Sequence, residues 1–393
     1  MHSSIPDDPT QPGLAGFPPP RLPASHALQT LPVQFNGDAR DYFRVWLVNA
    51  LLTIITFGIW SAWAKVRTQR WFYGHTQIGG HGFEYHATGS QILTGRLLAL
   101  VVIVISTALS LLSPLVELAM AIAIMCAAPW AINAGLRFRA VMTSWRNVRF
   151  DFQGSYLRAA YVFLLLPFIA TVSFGLLAPV ASRLAGRYLA NGHHYGGAQF
   201  DGKPRLGPLY AAYGHSVLLF VAIMVLSLFI AAGYAALGGI EFSLEALARD
   251  WQTVSTHRPD RQPPPDAPTL SLFITMLMLD VYAGLYTAGV YYSACLRQEI
   301  LGHLTLAGGH RLQSRFSPAV YLWLVISGML ATIFTLTLAY PWARVRRYRY
   351  LAQSLTLLAA PGLDELISRQ HETPRSFGGE FSQFEGFGSA APF

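Results

Sequence analysis

Apolar and polar positions fall in long blocks along this chain rather than alternating at short period. Seven apolar blocks run at about 43–63, 92–113, 115–136, 157–181, 214–238, 270–295 and 320–342. Each is long enough, at about 1.5 Å per helical residue, to cross roughly 30 Å of hydrocarbon. Blocks two and three are parted only by Ser113-Pro114, which predicts a tight helical hairpin. Blocks five and six are parted by about thirty residues holding Glu241, Glu245, Asp250, Asp260, Asp266 and Pro263-Pro264-Pro265, so residues 239–269 read as an exposed acidic insertion. Elsewhere the linkers carry short β-type runs beside Gly-Gly pairs, as in Gln77 to Tyr85, and these predict small hairpins. The pattern as a whole predicts an all-α polytopic membrane bundle of about seven segments (residues 35–358). A proline-rich disordered extension (1–34) precedes it, and a mostly disordered tail (359–393) follows.

Two phrases recur. Trp63-Ala64-Lys65-Val66-Arg67-x-x-Arg70 returns as Trp342-Ala343-Arg344-Val345-Arg346-x-x-Arg349, each time at the end of an apolar block. Tryptophan followed by arginines is how a helix leaves a bilayer, with the indole at the headgroups and the guanidinium groups on the cytoplasmic side. The second phrase is an arginine followed by Gly-His and then Gly-Gly: Gly74-His75 before Gly79-Gly80, Gly192-His193 before Gly196-Gly197, and Gly302-His303 before Gly308-Gly309. Such recurrences indicate internal duplication.

The recurrences conflict with simple threading. Seven crossings would put Arg183, Arg187, Lys203, Arg205, Arg297, Arg311 and Arg315 outside, against the positive-inside tendency. Re-entrant hairpins at blocks one, four and seven would remove the conflict, and Pro167, Gly175 and Pro179 supply breakers in block four. An inverted repeat would be a third solution. Since each disputed run is long enough for one span, seven crossings is the expectation.

Composition narrows the class further. Of 393 residues 53% are hydrophobic and 12% charged, against about 25% charged in soluble domains. The net charge of +8 sits in short clusters at block ends, which fits membrane orientation and points away from nucleic acid. Cys126 and Cys295 lie far apart with no metal-ligand spacing, so neither a disulfide framework nor a metal site is expected.

The run Asn49 to Ile59 with Thr53, Thr56 and Gly58, followed by the Trp63 to Arg70 phrase and by Gly79-Gly80-x-x-Phe83-x-Tyr85, resembles the YjgN family of bacterial inner-membrane proteins. The resemblance extends from about Phe35 to Leu358 and loosens through blocks five and six. Trp60-Ser61-Ala62 departs from the family's tyrosine and proline before the tryptophan, whereas Tyr340-Pro341-Trp342 keeps that form. The resemblance implies a multi-pass protein of the bacterial inner membrane and implies no activity.

Candidate chemistry is sparse. No GxSxG, phosphate-binding P-loop or GxGxxG opening a βαβ unit is present, so neither an enzyme nor a cofactor is expected. His75, His193 and His303 could converge on a metal, but Gly-His at a helix end also serves as a cap, and the cap is the preferred reading. Arg67 with Arg70, and Arg346 with Arg349, each share a helix face and are candidate contacts for anionic lipid or an anionic solute, or simply interfacial anchors. Asp280 lies ten residues into its apolar run, roughly mid-bilayer if the run is one span, and is the candidate proton or transport site. Two functions follow. One is a secondary transporter or permease acting on a small solute through Asp280. The other is a non-transporting scaffold that binds lipid or partners at its cytoplasmic edge.

Overall fold

The computed structural model describes residues 28–236, 244–256, 268–365 and 367. Most of the acidic insertion and of the two terminal segments lies outside these residues. The described chain is built from five units, each a strand, a helical pair and a second strand. The first holds β1 (Gln29–Phe35), α1 (Ala39–Ile55), α2 (Ser61–Gly74) and β2 (Thr76–Ile78). The second holds β3 (His81–Tyr85), α3 (Gly89–Ser110), α4 (Pro114–Val141) and β4 (Thr143–Trp145). The third holds β5 (Val148–Phe152), α5 (Tyr156–Ala160), a π turn over Tyr161–Leu165, α6 (Leu166–Val172), α7 (Ala178–Gly192) and β6 (His193–Tyr195). The fourth holds β7 (Ala198–Gly202), α8 (Leu206–Ala236), α9 (Leu244–Ser255), α10 (Pro268–Gly302) and β8 (Leu304–Leu306). The fifth holds β9 (His310–Ser314), α11 (Pro318–Phe334), α12 (Tyr340–Gln353) and β10 (Leu355–Ala359).

The ten strands form one closed antiparallel barrel. This corrects the all-α expectation. Within each unit the strand that enters the helices pairs with the strand that leaves them, as in Phe35↔Thr76, Tyr85↔Thr143, Phe152↔His193 and Gly202↔Leu304. Between units the strands join through tight turns, and Gln29↔Ala359 closes the ring. The turns need left-handed backbone: Gly79 and Gly80 have φ of 57° and 79°, and Arg146 and Asn147 have 50° and 66°. Two successive positive φ values are the primed geometry whose twist matches the flanking strands. Residues 29–34, assigned from sequence to the N-terminal extension, thus supply most of β1.

Ten strands enclose a wider interior than aliphatic side chains readily fill. Aromatic rings fill it here. Phe83, Phe150 and Phe200 stack in series at 6.4 and 6.5 Å. Trp145, Val148 and Tyr195 pack beside them, together with Leu363 and Ile367 from the segment after β10. The Ala360 N–H donates to His310 Nδ1 at 3.0 Å and Arg146 pairs with Asp364 at 2.7 Å, so this segment is pinned into the barrel.

Both ends of every helical pair meet one rim of the barrel, while the strand-to-strand turns lie at the other. Blocks one, four and seven therefore go out and come back. Only four helices, Gly89–Ser110, Pro114–Val141, Leu206–Ala231 and Phe273–Gly302, are long and apolar enough to cross a membrane among the described residues. The expectation of about seven spans is corrected accordingly. The apolar runs misled because each counted both arms of a hairpin as one helix.

The same reversal is built three times. Phe57-Gly58, Phe174-Gly175 and Leu336-Thr337 take φ of 47° and 91°, 51° and 84°, and 49° and 75°. Each closes with a six-residue backbone bond: Gly58 N to Thr53 O and Gly175 N to Ala170 O at 2.8 Å, Thr337 N to Thr332 O at 2.7 Å. A hydroxyl completes each one. Thr56 Oγ1 donates to the Leu52 carbonyl at 2.7 Å and accepts from Trp60 N at 2.9 Å, with Ser173 and Thr335 doing the same in their hairpins. In an apolar medium every freed backbone group must find such a partner. The tips themselves are apolar and bare: Phe57 is 98%, Phe174 95% and Leu336 85% exposed.

The Trp63 phrase also has a packing role. A Cβ at Gly89 would stand 2.4 Å from Trp63 Cδ1, so α2 seats its indole directly on the first turn of α3. Gly207, in the first turn of α8, has nothing within 4 Å. Gly89→Ala is expected to lower stability by about 1–3 kcal/mol through overpacking. Gly207→Ala should be neutral or raise it by up to about 1 kcal/mol through helix propensity. Thermal unfolding of the two purified variants checks this, and equal melting temperatures would contradict the packing.

Candidate functional site

The residues singled out from sequence do not converge. Arg67 Nη1 donates to Asn49 Oδ1 at 3.3 Å, and Arg70 donates to the carbonyls of Tyr85 at 3.2 Å and Ala87 at 2.9 Å. In the fifth unit Arg346 Nη1 reaches Ser327 Oγ at 3.1 Å while lying over the Trp342 ring, and Arg349 Nη2 reaches the Gly37 carbonyl at 2.8 Å. These guanidinium groups clamp helices to each other and to the loops that lead from strand to helix.

Asp280 is half-buried and lies 22 residues before the end of α10, about 33 Å from the barrel rim. The 22 residues of α3 span the same rise and reach the Ser113-Pro114 turn. Asp280 therefore lies about as far from the barrel rim as the α3–α4 turn does, inside the apolar stretch Phe273–Gly302. Thr287 bonds its own helix, through the Ala283 carbonyl.

The three Gly-His histidines occupy equivalent places. His75, His193 and His303 each set Nδ1 against the carbonyl four residues earlier, at 2.6, 2.6 and 3.0 Å from Trp71, Leu189 and Glu299. They cap helices where the chain turns into a strand. His303 also lies 3.3 Å from Glu299 Oε1, which takes bonds from Arg205 N at 2.9 Å and Arg205 Nε at 3.0 Å and so ties α10 to the start of α8.

A different group of residues does form a concave surface. A cleft of about 600 Å³ opens where α4 meets β5 and the start of α5, lined by Trp130, Asn133, Arg137, Asp151, Gln153 and Tyr156 among others. Helix α4 carries Pro129 in its interior, and Tyr156 Oη donates at 2.8 Å to the Cys126 carbonyl in the turn that the proline disturbs. Asn133 Nδ2 donates to the Gly154 carbonyl at 3.3 Å and its Oδ1 accepts from Tyr188 Oη at 2.6 Å. A Cβ at Gly154 would collide with both of those side chains, so only glycine lets the loop approach α4 this closely. Arg137 Nε lies 3.7 Å from Asp151 Oδ1, and that oxygen is buried with no hydrogen bond.

The cleft is amphipathic by construction. Its outer wall is Trp130, next to the exposed apolar surface of α4, and its inner wall is an opposite-charge pair with amides beside it. Such a surface takes a molecule with an apolar body and a head that can donate to Asp151 and accept from Arg137. Asn133 is apparent in the sequence as a polar residue inside an apolar run. Arg137, Asp151 and Gln153 are not, since pairing them depends on the α4–β5 contact.

The comparisons with known proteins agree with this architecture as far as location. The family described as bacterial protein of unknown function (DUF898) matches residues 30–384. The chain belongs to this family. It is also similar to inner membrane protein YjgN of Salmonella typhimurium strain LT2, at 32% identity over 151 residues, and to YjgN of Escherichia coli K12 and O157:H7, at 30% and 29%. Each alignment covers 38% of this chain and 38% of the relative's own length. No solved structure matches. The family, these relatives and the four apolar helices place the protein in the bacterial inner membrane.

His310 gives the barrel a pH response. The side chain is buried, burial holds its pKa below the ordinary value, and Nδ1 must be unprotonated to accept the Ala360 N–H. A histidine with a lowered folded pKa contributes fully above its unfolded pKa of about 6.5 and loses that contribution as pH falls below it. Hydrogen-exchange protection at Ala360 to Leu363 should therefore drop on acidification through pH ~6, and His310→Phe should abolish the dependence. Protection unchanged down to pH ~5 would contradict it.

Proposed function

We propose that the protein is a multi-pass inner-membrane binding protein, assembled from an internally repeated strand–helical pair–strand unit, that seats the head of an amphiphile between α4 and α5 without transporting it. The observation that carries this reading is the buried, hydrogen-bond-free Asp151 Oδ1 beside Arg137, at the inner end of a cleft whose outer wall is Trp130. On this reading α3, α4, α8 and α10 cross the bilayer, and the α1–α2, α6–α7 and α11–α12 hairpins dip apolar tips into the cytoplasmic leaflet. The basic residues of all five units then lie on the cytoplasmic side. The barrel interior is packed with aromatic rings, which suits a rigid platform.

The test is thermal stabilisation of the purified protein by lysophosphatidylethanolamine, whose head carries an ammonium donor and a phosphate acceptor. Wild type should be stabilised by mass action. Asp151→Asn and Arg137→Gln should each weaken binding about tenfold by removing one charged partner. No stabilisation of wild type, or variants that bind as tightly as wild type, would contradict the reading.

Secondary transport is the second reading, and the three broken hairpins support it, since discontinuous helices at membrane depth are typical of transporters. It requires Asp280→Asn to abolish solute movement in proteoliposomes while leaving the fold intact.

A further inference from the structure

We propose that Asn133 is the positioning residue that opens the cleft: it takes over a loop contact that an arginine makes elsewhere in the barrel, and so releases Arg137 to meet an anionic group on the ligand. The ligand chemistry rests on the amphiphile-binding reading above. The release itself is read from the internal repeat.

Strand pairing puts the five units in one register. The pairs Phe35↔Thr76, Tyr85↔Thr143, Phe152↔His193, Gly202↔Leu304 and Ser314↔Leu355 are equivalent. Six residues before the second member of each pair stand Arg70, Arg137, Arg187, Gln298 and Arg349. Four residues earlier still stand Val66, Asn133, Arg183, Ala294 and Val345. Two residues after the first member, in the loops that lead from strand to helix, stand Gly37, Ala87, Gly154, Pro204 and Phe316.

In the first and fifth units the arginine fastens the loop of the next unit. Arg70 Nη2 donates to the Ala87 carbonyl at 2.9 Å and Arg349 Nη2 to the Gly37 carbonyl at 2.8 Å. The residue four earlier is then a buried valine, Val66 or Val345. In the second and third units that earlier residue is polar and holds the equivalent carbonyl instead: Asn133 Nδ2 donates to Gly154 at 3.3 Å and Arg183 Nε to Pro204 at 2.9 Å. Residues four apart share a helix face, so either can reach the loop. The arginines left over are Arg137 and Arg187, and neither makes a hydrogen bond among the described residues.

Asn133 is fixed in this role. Its Oδ1 accepts from Tyr188 Oη at 2.6 Å, which turns Nδ2 toward the loop. The Tyr188 ring is itself held edge-on by Phe152 and Phe163, each with centroids 5.8 Å away.

Arg137 lines the cleft with its Nε 3.7 Å from Asp151 Oδ1, beyond hydrogen-bond distance. Its fork of N–H groups lacks the carbonyls that Arg70 finds. A phosphate or carboxylate on a bound head supplies acceptors of matching geometry. The exchange that opens the cleft thus also selects for an anionic group in what fills it.

The test uses the full-length protein in neutral detergent. Under limited modification with p-hydroxyphenylglyoxal, read by peptide mass spectrometry, Arg137 and Arg187 should react faster than Arg70 and Arg349 in wild type, although all four are exposed. Asn133→Val, which copies the first and fifth units, should slow Arg137 to the rate of Arg70. It should also weaken lysophosphatidylethanolamine binding, followed by thermal stabilisation, about tenfold, as far as Arg137→Gln does. Combining Asn133→Val with Arg137→Gln should weaken binding no further, because both changes remove the same group. Asn133→Arg, which copies the third unit, should leave Arg137 as reactive as in wild type. If the lipid does not stabilise wild type, the amphiphile reading falls, and the modification rates still decide the release. Arg137 reacting no faster than Arg70 in wild type overturns the proposal even where no variant folds, and so does an unchanged Arg137 rate in Asn133→Val.

Discussion

Every strand in this protein is three to seven residues long and could not persist alone, so the fold depends on closing ten of them into one ring. Closure has a strict consequence. A strand such as β2 pairs with β1 on one side and β3 on the other, which requires that the chain leave and re-enter the barrel at the same rim for every helical pair. Helices of any length satisfy this if they come in antiparallel pairs. Length is then free to vary, and the units differ in it: the second and fourth project long apolar helices, whereas the first, third and fifth fold back early.

The early return is what the three hairpin tips accomplish. A helix that ends in an apolar medium leaves four carbonyls without partners. Here a six-residue closing bond, two left-handed residues and a doubly used hydroxyl satisfy the break within five or six residues. Thr337 takes the left-handed place that glycine occupies in the other two tips, with φ of 75°, and keeps the closing bond at 2.7 Å, so the motif accommodates a side chain there. Among the described residues the side chains of Phe57, Phe174 and Leu336 are bare, and lipid is the medium that suits them.

Much of this was legible in the residues and some was not. The Gly-His helix ends and the hairpins that turn at Gly79-Gly80 and Gly308-Gly309 stand where their chemistry puts them, whereas the Trp63 and Trp342 phrases open the returning helices α2 and α12 just after each reversal. Barrel closure was not legible, because Phe35↔Thr76 and Gln29↔Ala359 are pairings across tens or hundreds of residues between runs too short to show a two-residue period. The second strand-to-strand turn was hidden for a local reason: Arg146-Asn147 replaces the Gly-Gly pair, and Thr143, bonding the Arg139 carbonyl at 2.9 Å, replaces the capping histidine. The cleft escaped notice because Arg137 and Asp151 acquire meaning only once α4 lies on β5.

The central claim is that all four strand-to-strand turns and both chain ends of every helical pair lie on one side of the membrane. With Cys126 and Cys295 replaced, single cysteines at His81, Arg149, Gln199 and Arg311, one exposed position in each β-hairpin, can be probed in intact cells with a membrane-impermeant maleimide. A cysteine at the exposed Leu112, in the α3–α4 tip, serves as the outside marker. The account predicts labelling at Leu112→Cys alone before lysis and at all four hairpin positions after it. Labelling of Gln199→Cys from outside while His81→Cys stays protected is what seven crossings would give, and it would contradict the closed barrel directly.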